Sequence, residues 1–490
     1  NAVDASIAAS VVLSVVEPNA TSIGGDCFAI VKMEGKDPVS YNGSGIAPEK
    51  ASYEYFKKNK IDKIGLTSPH SVTIPGALDA WKNIHNDFGK LDFEELFLAA
   101  IDFAKNGFKV TRVVANAWNK SLSKLLENKN SKNVFLNNGK SYQFSELRKN
   151  IPLGNTLELI SKKRVTEFYE GSIANDMVKS LNELGGLHTL EDFSKQKTIK
   201  SETISSKYKN IQIHQCPPNG PGVTVLLMMK LLEKLEINKF SYNSVERFHL
   251  EAEVTKQAYK VKEENLADPN FVNVNLDKII SDKFINNIYK SISLNKCSDI
   301  GDLNIPNHPE TVYLSVVDKD LNTVSMINSV CYAFGSGITT DKAGIILHNR
   351  GTNFRVEEEH PNCIEGLKRP LHTIIPGMVL DHNGLSSLSY GVMGGQYQPV
   401  GQVHVLNNIL DFEMSPQQAI TFPRAFHFNN VYKLEKEVSE EIKDGLSTIG
   451  HNAVHVDETH GGGQAIQIDR LKGNLIGGSD PRKDGYAKGY

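Results

Sequence analysis

The spacing of apolar and polar positions divides the chain into a helix-rich first part and a strand-rich second part, changing near Thr311. Asn1–Pro18 is small and apolar almost all round, which predicts a helix buried on most faces and ended by Pro18. Phe28–Met33 predicts a strand, and Tyr41–Pro48 a glycine-bearing loop. Thr67–Trp81 predicts a strand, a break at Pro75-Gly76 and a helix. Leu91–Gly107 carries Phe93, Leu96, Phe97, Ala100, Ile101 and Ala104 at helical spacing and closes on a glycine. Lys120–Lys163 reads as polar surface helices, Gly171–Leu184 as another helix, and Thr198–Gln215 as a strand pair. Helices then follow over Val223–Leu235, Val245–Leu266 and Leu276–Ile292.

From Thr311 onward the period shortens. Thr311–Val317, Thr323–Ser329, Gly344–Leu347, Ile374–Leu380, Leu385–Met393 and Ala465–Asp469 are predicted strands; Pro399–Ile409 and Pro416–Phe422 are predicted helices. The combination points to one intertwined α+β core rather than two separate domains. No internal repeat or low-complexity segment interrupts it.

Composition narrows the partners. Across 490 residues, 40% are hydrophobic and 23% charged, with a net charge of −3. That is the balance of a globular protein and argues against a nucleic-acid or anionic-membrane partner. The five cysteines, Cys27, Cys216, Cys297, Cys331 and Cys363, form no C-x-x-C pair, so a reducing, cytoplasmic compartment is expected. A secreted or periplasmic location stays open, because the numbering opens on Asn1 and a removed signal peptide would leave no trace. His451, His455 and His460 fall in an alternating segment rather than on a helix, so no metal site is expected. Gly43-x-Gly45 lacks the third glycine and lysine of a phosphate loop and reads as a turn.

Thr311 is the residue with chemistry to offer. By local pattern it is an ordinary strand threonine. The residues before it, Asp302–Glu310, are polar, hold two prolines and have no periodicity, as in an exposed segment open to cleavage. A cut between Glu310 and Thr311 would free an α-amine, of pKa about 8, beside the hydroxyl it can deprotonate. Such a nucleophile needs no metal and no cofactor.

Over nearly its whole length the chain resembles the γ-glutamyltranspeptidase family. The matching pieces include Asn1-Ala-Val-Asp-Ala5, Ile23-Gly24-Gly25, Thr73-Ile-Pro75-Gly76, Phe168-Tyr-Glu-Gly171 and Asp192-Phe193. In the second part they include Thr311 with Ser315-Val-Val-Asp318, Phe334-Gly335-Ser336-Gly337, Lys368-Arg369-Pro370-Leu371, Gly394-Gly395, Pro423-Arg424 and Asp480-Pro481-Arg482. The resemblance implies the four-layer αββα sandwich of the N-terminal-nucleophile hydrolases. It also implies self-cleavage into a large part, 1–310, and a small part, 311–490, that stay together. Asn1 aligns somewhat inside the family's large subunit, so a first strand and part of a helix are expected to precede it. Thr311 matches the nucleophile, Ser329 the second hydroxyl that aligns it, and Gly394-Gly395 the oxyanion hole, with an acyl-enzyme as intermediate.

The residues that would read a glutamyl group depart from the family pattern. Ser44 stands where transpeptidases have the arginine that grips the α-carboxylate, and Cys331 where they have an asparagine. The segment Asn-Asn-Gln-Met-Asp-Asp becomes His348-Asn-Arg350-Gly-Thr-Asn353, which replaces the ammonium-binding acid by Asn353. The serine pair after Pro-Leu becomes His372-Thr373. These substitutions resemble the branch that includes oxamate amidohydrolase, which hydrolyses amides of small carboxylic acids. Arg350 is then a candidate for the substrate carboxylate, or alternatively the cation of a loop-fixing salt bridge. His372 is a candidate contact or a packed polar residue. The expected partner is a small-molecule amide, either γ-glutamyl or a small carboxylic amide; a homo-oligomer is compatible with the sequence. The competing class, an uncut scaffold protein, has no use for Thr311, Ser329 and Gly394-Gly395 together.

Overall fold

A computed structural model describes residues 1–163, 165–301 and 310–490. Two antiparallel central sheets are built from strands β1 (Asp26–Lys32), β2 (Val39–Gly43), β3 (Ile199–Glu202), β4 (Ile204–Tyr208), β5 (Ile211–Gln215), β6 (Val312–Val317), β7 (Thr323–Ser329), β8 (Gly377–Leu380), β9 (Ser386–Met393), β10 (Gly462–Asp469) and β11 (Asn474–Ser479). One sheet runs β3-β2-β1-β7-β6; the other runs β11-β10-β9-β8-β5-β4. Each sheet therefore combines strands from both sides of Thr311.

Side-chain alternation assigns the layers. In β1, Cys27, Ala29 and Val31 face a helical cluster, whereas Phe28 and Ile30 face the second sheet. In β7, Val324 and Met326 take the helical side and Ile327 the inner one. Across the gap, Met378 and Leu380 of β8 point inward while Val379 points to the opposite helices. The outer layer on the first sheet contains α1 (Ala2–Val16), α2 (Ala77–Phe88) and α3 (Leu98–Asn106); that on the second contains α4 (Gly222–Lys234), α5 (Val245–Asn265) and α6 (Gln398–Leu410). This is the four-layer αββα sandwich, and strands buried on both faces read as apolar throughout.

Several expected elements differ. No strand forms in Thr67–Trp81; a short 3-10 turn at Pro69–Ser71 leads through extended backbone to α2. The periodicity of Leu91–Gly107 yields only α3 and a 3-10 turn at Glu95–Phe97, because Phe93, Leu96 and Phe97 reach the core from a tighter backbone. Thr198–Gln215 holds three strands shared between both sheets, rather than one pair. Gly344–Leu347 makes only isolated bridges, Gly24 to Leu347 and Thr339 to Ile346. Leu276–Ile292 is broken into Leu276–Ile279 and Asp282–Tyr289. Asp302–Pro309, the segment expected to be exposed before the cut, lies outside the described residues.

Candidate active site

Thr311 immediately precedes β6, and Ser329 ends the neighbouring β7. Antiparallel pairing of Val312 with Asn328 brings the two hydroxyls together. Thr311 Oγ1 lies 3.3 Å from Ser329 Oγ and 2.5 Å from the Glu310 carbonyl oxygen, and Ser329 Oγ lies 3.3 Å from that same carbonyl. Thr311 is 2% exposed. Ser329 Oγ also accepts the backbone N–H of Cys331 at 2.9 Å and Arg350 Nη2 at 3.0 Å. The second hydroxyl is thus fixed by two donors while it faces the nucleophile.

The glycine pair is close by. β9 ends at Met393, and Gly394 and Gly395 turn with φ of +126° and +58°. A Cβ on Gly394 would meet Gly461 Cα at 2.8 Å, so a side chain is excluded there. The turn leads into α6, whose first residue, Gln398, donates from Nε2 toward Thr311 Oγ1 at 3.5 Å. Gln398 Oε1 is itself held by the Ile375 N–H at 3.1 Å. Nothing in the local sequence marked Gln398; the glycine pair three residues upstream was its only signal.

A second cluster forms the wall beside Ser329. Asp26 pairs directly opposite Ser329 in the β1–β7 register. Its carboxylate lies 3.0 Å from His372 Nε2, 3.3 Å from His348 Nδ1 and 3.9 Å from Arg350 Nε, and accepts the Gly45 N–H at 3.1 Å. Burial pushes the Asp26 carboxyl up, but His348 and His372 outweigh it and hold the group well below the usual carboxylate range. Arg350 is fully buried, donates from Nη1 to Thr373 Oγ1 at 2.9 Å, and keeps Nε without a hydrogen bond. It is neither a surface salt bridge nor a loop tether alone: it joins Asp26, Ser329 and Thr373.

The other predicted residues separate. Asn353 donates to the Leu371 carbonyl at 3.0 Å and leaves a buried Oδ1 without a partner. Ser44 Oγ is engaged by Asn42 at 2.6 Å and Asn219 at 3.2 Å, on the side of Asp26 away from Thr311. Cys331 is buried with φ of +80°, and burial raises its thiol pKa. It reaches the site through its backbone N–H. Asp26, His348 and Gln398 belong to the constellation although no motif singled them out.

Among the described residues, one group of three potential metal ligands lies elsewhere: His249, Glu253 and His451, with ligand atoms within 4.8 Å of one another. Lys256 Nζ sits 2.6 Å from Glu253, and His249 is bonded to His451 and to the Ser293 carbonyl, both at 2.7 Å. Protein groups therefore occupy the positions a cation would take. His455 and His460 bind the Val438 and Lys433 carbonyls and do not join His451.

Two facing sheets between helical layers, with a threonine opening a central strand beside an aligned hydroxyl, define the architecture of the N-terminal-nucleophile hydrolases. A family model described as gamma-glutamyltranspeptidase matches residues 1–490, and the chain belongs to that family. It is 32% identical to the glutathione hydrolase-like YwrD proenzyme of Bacillus subtilis, covering 100% of this chain and 94% of the relative. Identity to the glutathione hydrolase proenzyme of Escherichia coli is 29%, over 100% and 88% of the two chains. The crystal structure of cephalosporin acylase from Bacillus halodurans superposes with a TM-score of 0.92 at 30% identity, covering 100% of this chain and 92% of that one. The protein is an enzyme of this hydrolase and acyltransferase family.

Proposed function

We propose that the chain cuts itself between Glu310 and Thr311 and then hydrolyses amides of small carboxylic acids through an acyl-Thr311 intermediate. The observation that carries this reading is the Thr311–Ser329–Arg350 contact chain, in which a buried cation polarises the hydroxyl that faces both the nucleophile and the Glu310 carbonyl. In processing, Thr311 Oγ attacks the Glu310 carbonyl carbon, the peptide C–N bond breaks, and water hydrolyses the resulting ester. The α-amine released on Thr311 then takes the hydroxyl proton as Oγ attacks a substrate amide, and passes it to the leaving amine. Water returns the acid and the free threonine. Backbone N–H groups at Gly394 and Gly395 stand as the oxyanion donors in this scheme.

Arg350, with two donors on hydroxyls and Nε free, is assigned the substrate carboxylate; Asn353 Oδ1 and Thr373 are assigned the polar end of the acyl group. Because both sheets draw strands from each side of Thr311, parts 1–310 and 311–490 would stay together after the cut. A γ-glutamyl amide is the second reading, favoured by the names of the glutathione hydrolase relatives. Intact mass tests the scheme: two fragments meeting at Glu310/Thr311 in the wild type, and one uncut chain in Thr311→Ala. A wild type that stays uncut while turning over amides would overturn it.

A further inference from the structure

His348 is completely buried, and both of its ring nitrogens face oxygen acceptors. Nε2 lies 2.8 Å from the Thr73 backbone carbonyl, so it carries a proton to donate there; Thr73 Oγ1 is at 3.3 Å. Nδ1 lies 3.3 Å from Asp26 Oδ2, an ion-pair distance without the alignment of a hydrogen bond. A neutral imidazole has one N–H and one lone pair. In that state Nδ1 would aim its lone pair at a carboxylate oxygen. Asp26 cannot relieve this by protonation, because its carboxyl is held well below the usual range.

His372 makes the contrast. Its Nε2 faces Asp26 at 3.0 Å, but its Nδ1 accepts the Ile374 N–H at 3.2 Å. One donor and one acceptor describe a neutral ring, and burial with Arg350 lowers its pKa to about 3. The remaining ionisable neighbour of His348, His188, is also neutral: burial lowers it to about 4, and Nε2 bonds the Val72 carbonyl at 2.8 Å.

We infer that His348 is a buried imidazolium, which makes it a specificity-determining residue for an anionic amide. Arg350 and His348 supply two positive charges around Asp26 and its single negative one, so the cluster carries one net positive charge. An incoming carboxylate neutralises it; a neutral amide does not. This rests on the proposed reaction at Thr311, yet the charge of His348 exists without turnover and is measured separately.

Histidine side-chain NMR of the whole protein at pH 8.5, about two units above the ordinary imidazole pKa, reads that charge. Of the 15 histidines, one ring should show both nitrogens protonated, vanish in His348→Asn and become neutral in Asp26→Asn. Only neutral rings in the wild type would overturn the inference, whatever the variants do. Kinetics give the functional half, with oxamate as the anionic probe and its ethyl ester as the neutral one. In His348→Asn, KM for oxamate should rise on the order of tenfold with kcat little changed, and KM for the ester should not move. An equal change for both probes would remove His348 from specificity. If neither probe is turned over, the NMR result still decides the charge, and the mass experiment decides Thr311.

Discussion

The molecule contains two buried charge clusters built on opposite principles. Far from Thr311, Arg424 and Arg482 meet Asp480 and Glu435: two cations against two anions. Every carboxylate oxygen there accepts two hydrogen bonds. Asp480 takes Arg424 Nη2, Arg482 Nη1 and the Gly463 and Arg482 N–H groups; Glu435 takes Arg482 Nε and Nη2 and the Arg424 and His460 N–H groups. Beside Thr311, one carboxylate, Asp26, faces Arg350, His348 and His372, while Arg350 Nε and Asn353 Oδ1 keep no hydrogen-bond partner. A saturated, neutral network fixes backbone. An unsaturated, charged one leaves capacity for a ligand.

Breaking the saturated cluster should have the larger effect on folding. Asp480→Asn leaves buried Arg424 short of its charge partner and should cost about 3–5 kcal/mol in urea denaturation, with kcat/KM of the folded fraction unchanged. A loss below about 1 kcal/mol would mean that this network is not what holds the C-terminal strands. Arg350→Ala should do the reverse, lowering kcat/KM for a carboxylate amide by roughly 10–100-fold with a smaller loss of stability; steady-state kinetics beside the same denaturation series separate the two. Acid sharpens the contrast further. Burial raises the Asp480 and Glu435 pKa values, but Arg424 and Arg482 outweigh it and hold both carboxyls low. Their stabilisation is therefore complete above the unfolded carboxylate pKa of about 4 and is lost as pH falls below it. The melting-temperature gap between wild type and Asp480→Asn should be constant from pH 7 to 5 and shrink below pH 4. The smallest effect is expected for Gln398→Ala, which removes one long, neutral contact to Thr311 Oγ1: a several-fold drop in kcat, read with KM unchanged.

Layer order and strand content were legible in the sequence because β1, β7, β8 and β9 alternate between two apolar surfaces, and that period survives in any buried sheet. The helix over Leu91–Gly107 was misread for the same reason: Phe93, Leu96 and Phe97 keep helical spacing while packing from a tighter turn. At the site, Thr311, Ser329 and Gly394-Gly395 were visible through family resemblance. Arg350 was visible as a departure from it. Asp26 and Gln398 were not, since their roles depend on partners hundreds of residues away or across the sheet. Ser44 had the right address but the wrong company: its hydroxyl is spent on Asn42 and Asn219. His348 stood in a departing segment, yet its charge emerges only from two acceptors, on Thr73 and Asp26, that no spacing announces.

The central claim is that Thr311, freed by cleavage, carries the acyl group. Rapid quenching of the enzyme with a slowly hydrolysed small-carboxylate amide, followed by the mass of the 311–490 fragment, tests it most directly. The account predicts an increment equal to the acyl group, mapped by peptide digestion to Thr311 and absent from the 1–310 fragment. Turnover of that amide with an unmodified 311–490 fragment, or an acyl group mapped to another residue, would contradict it.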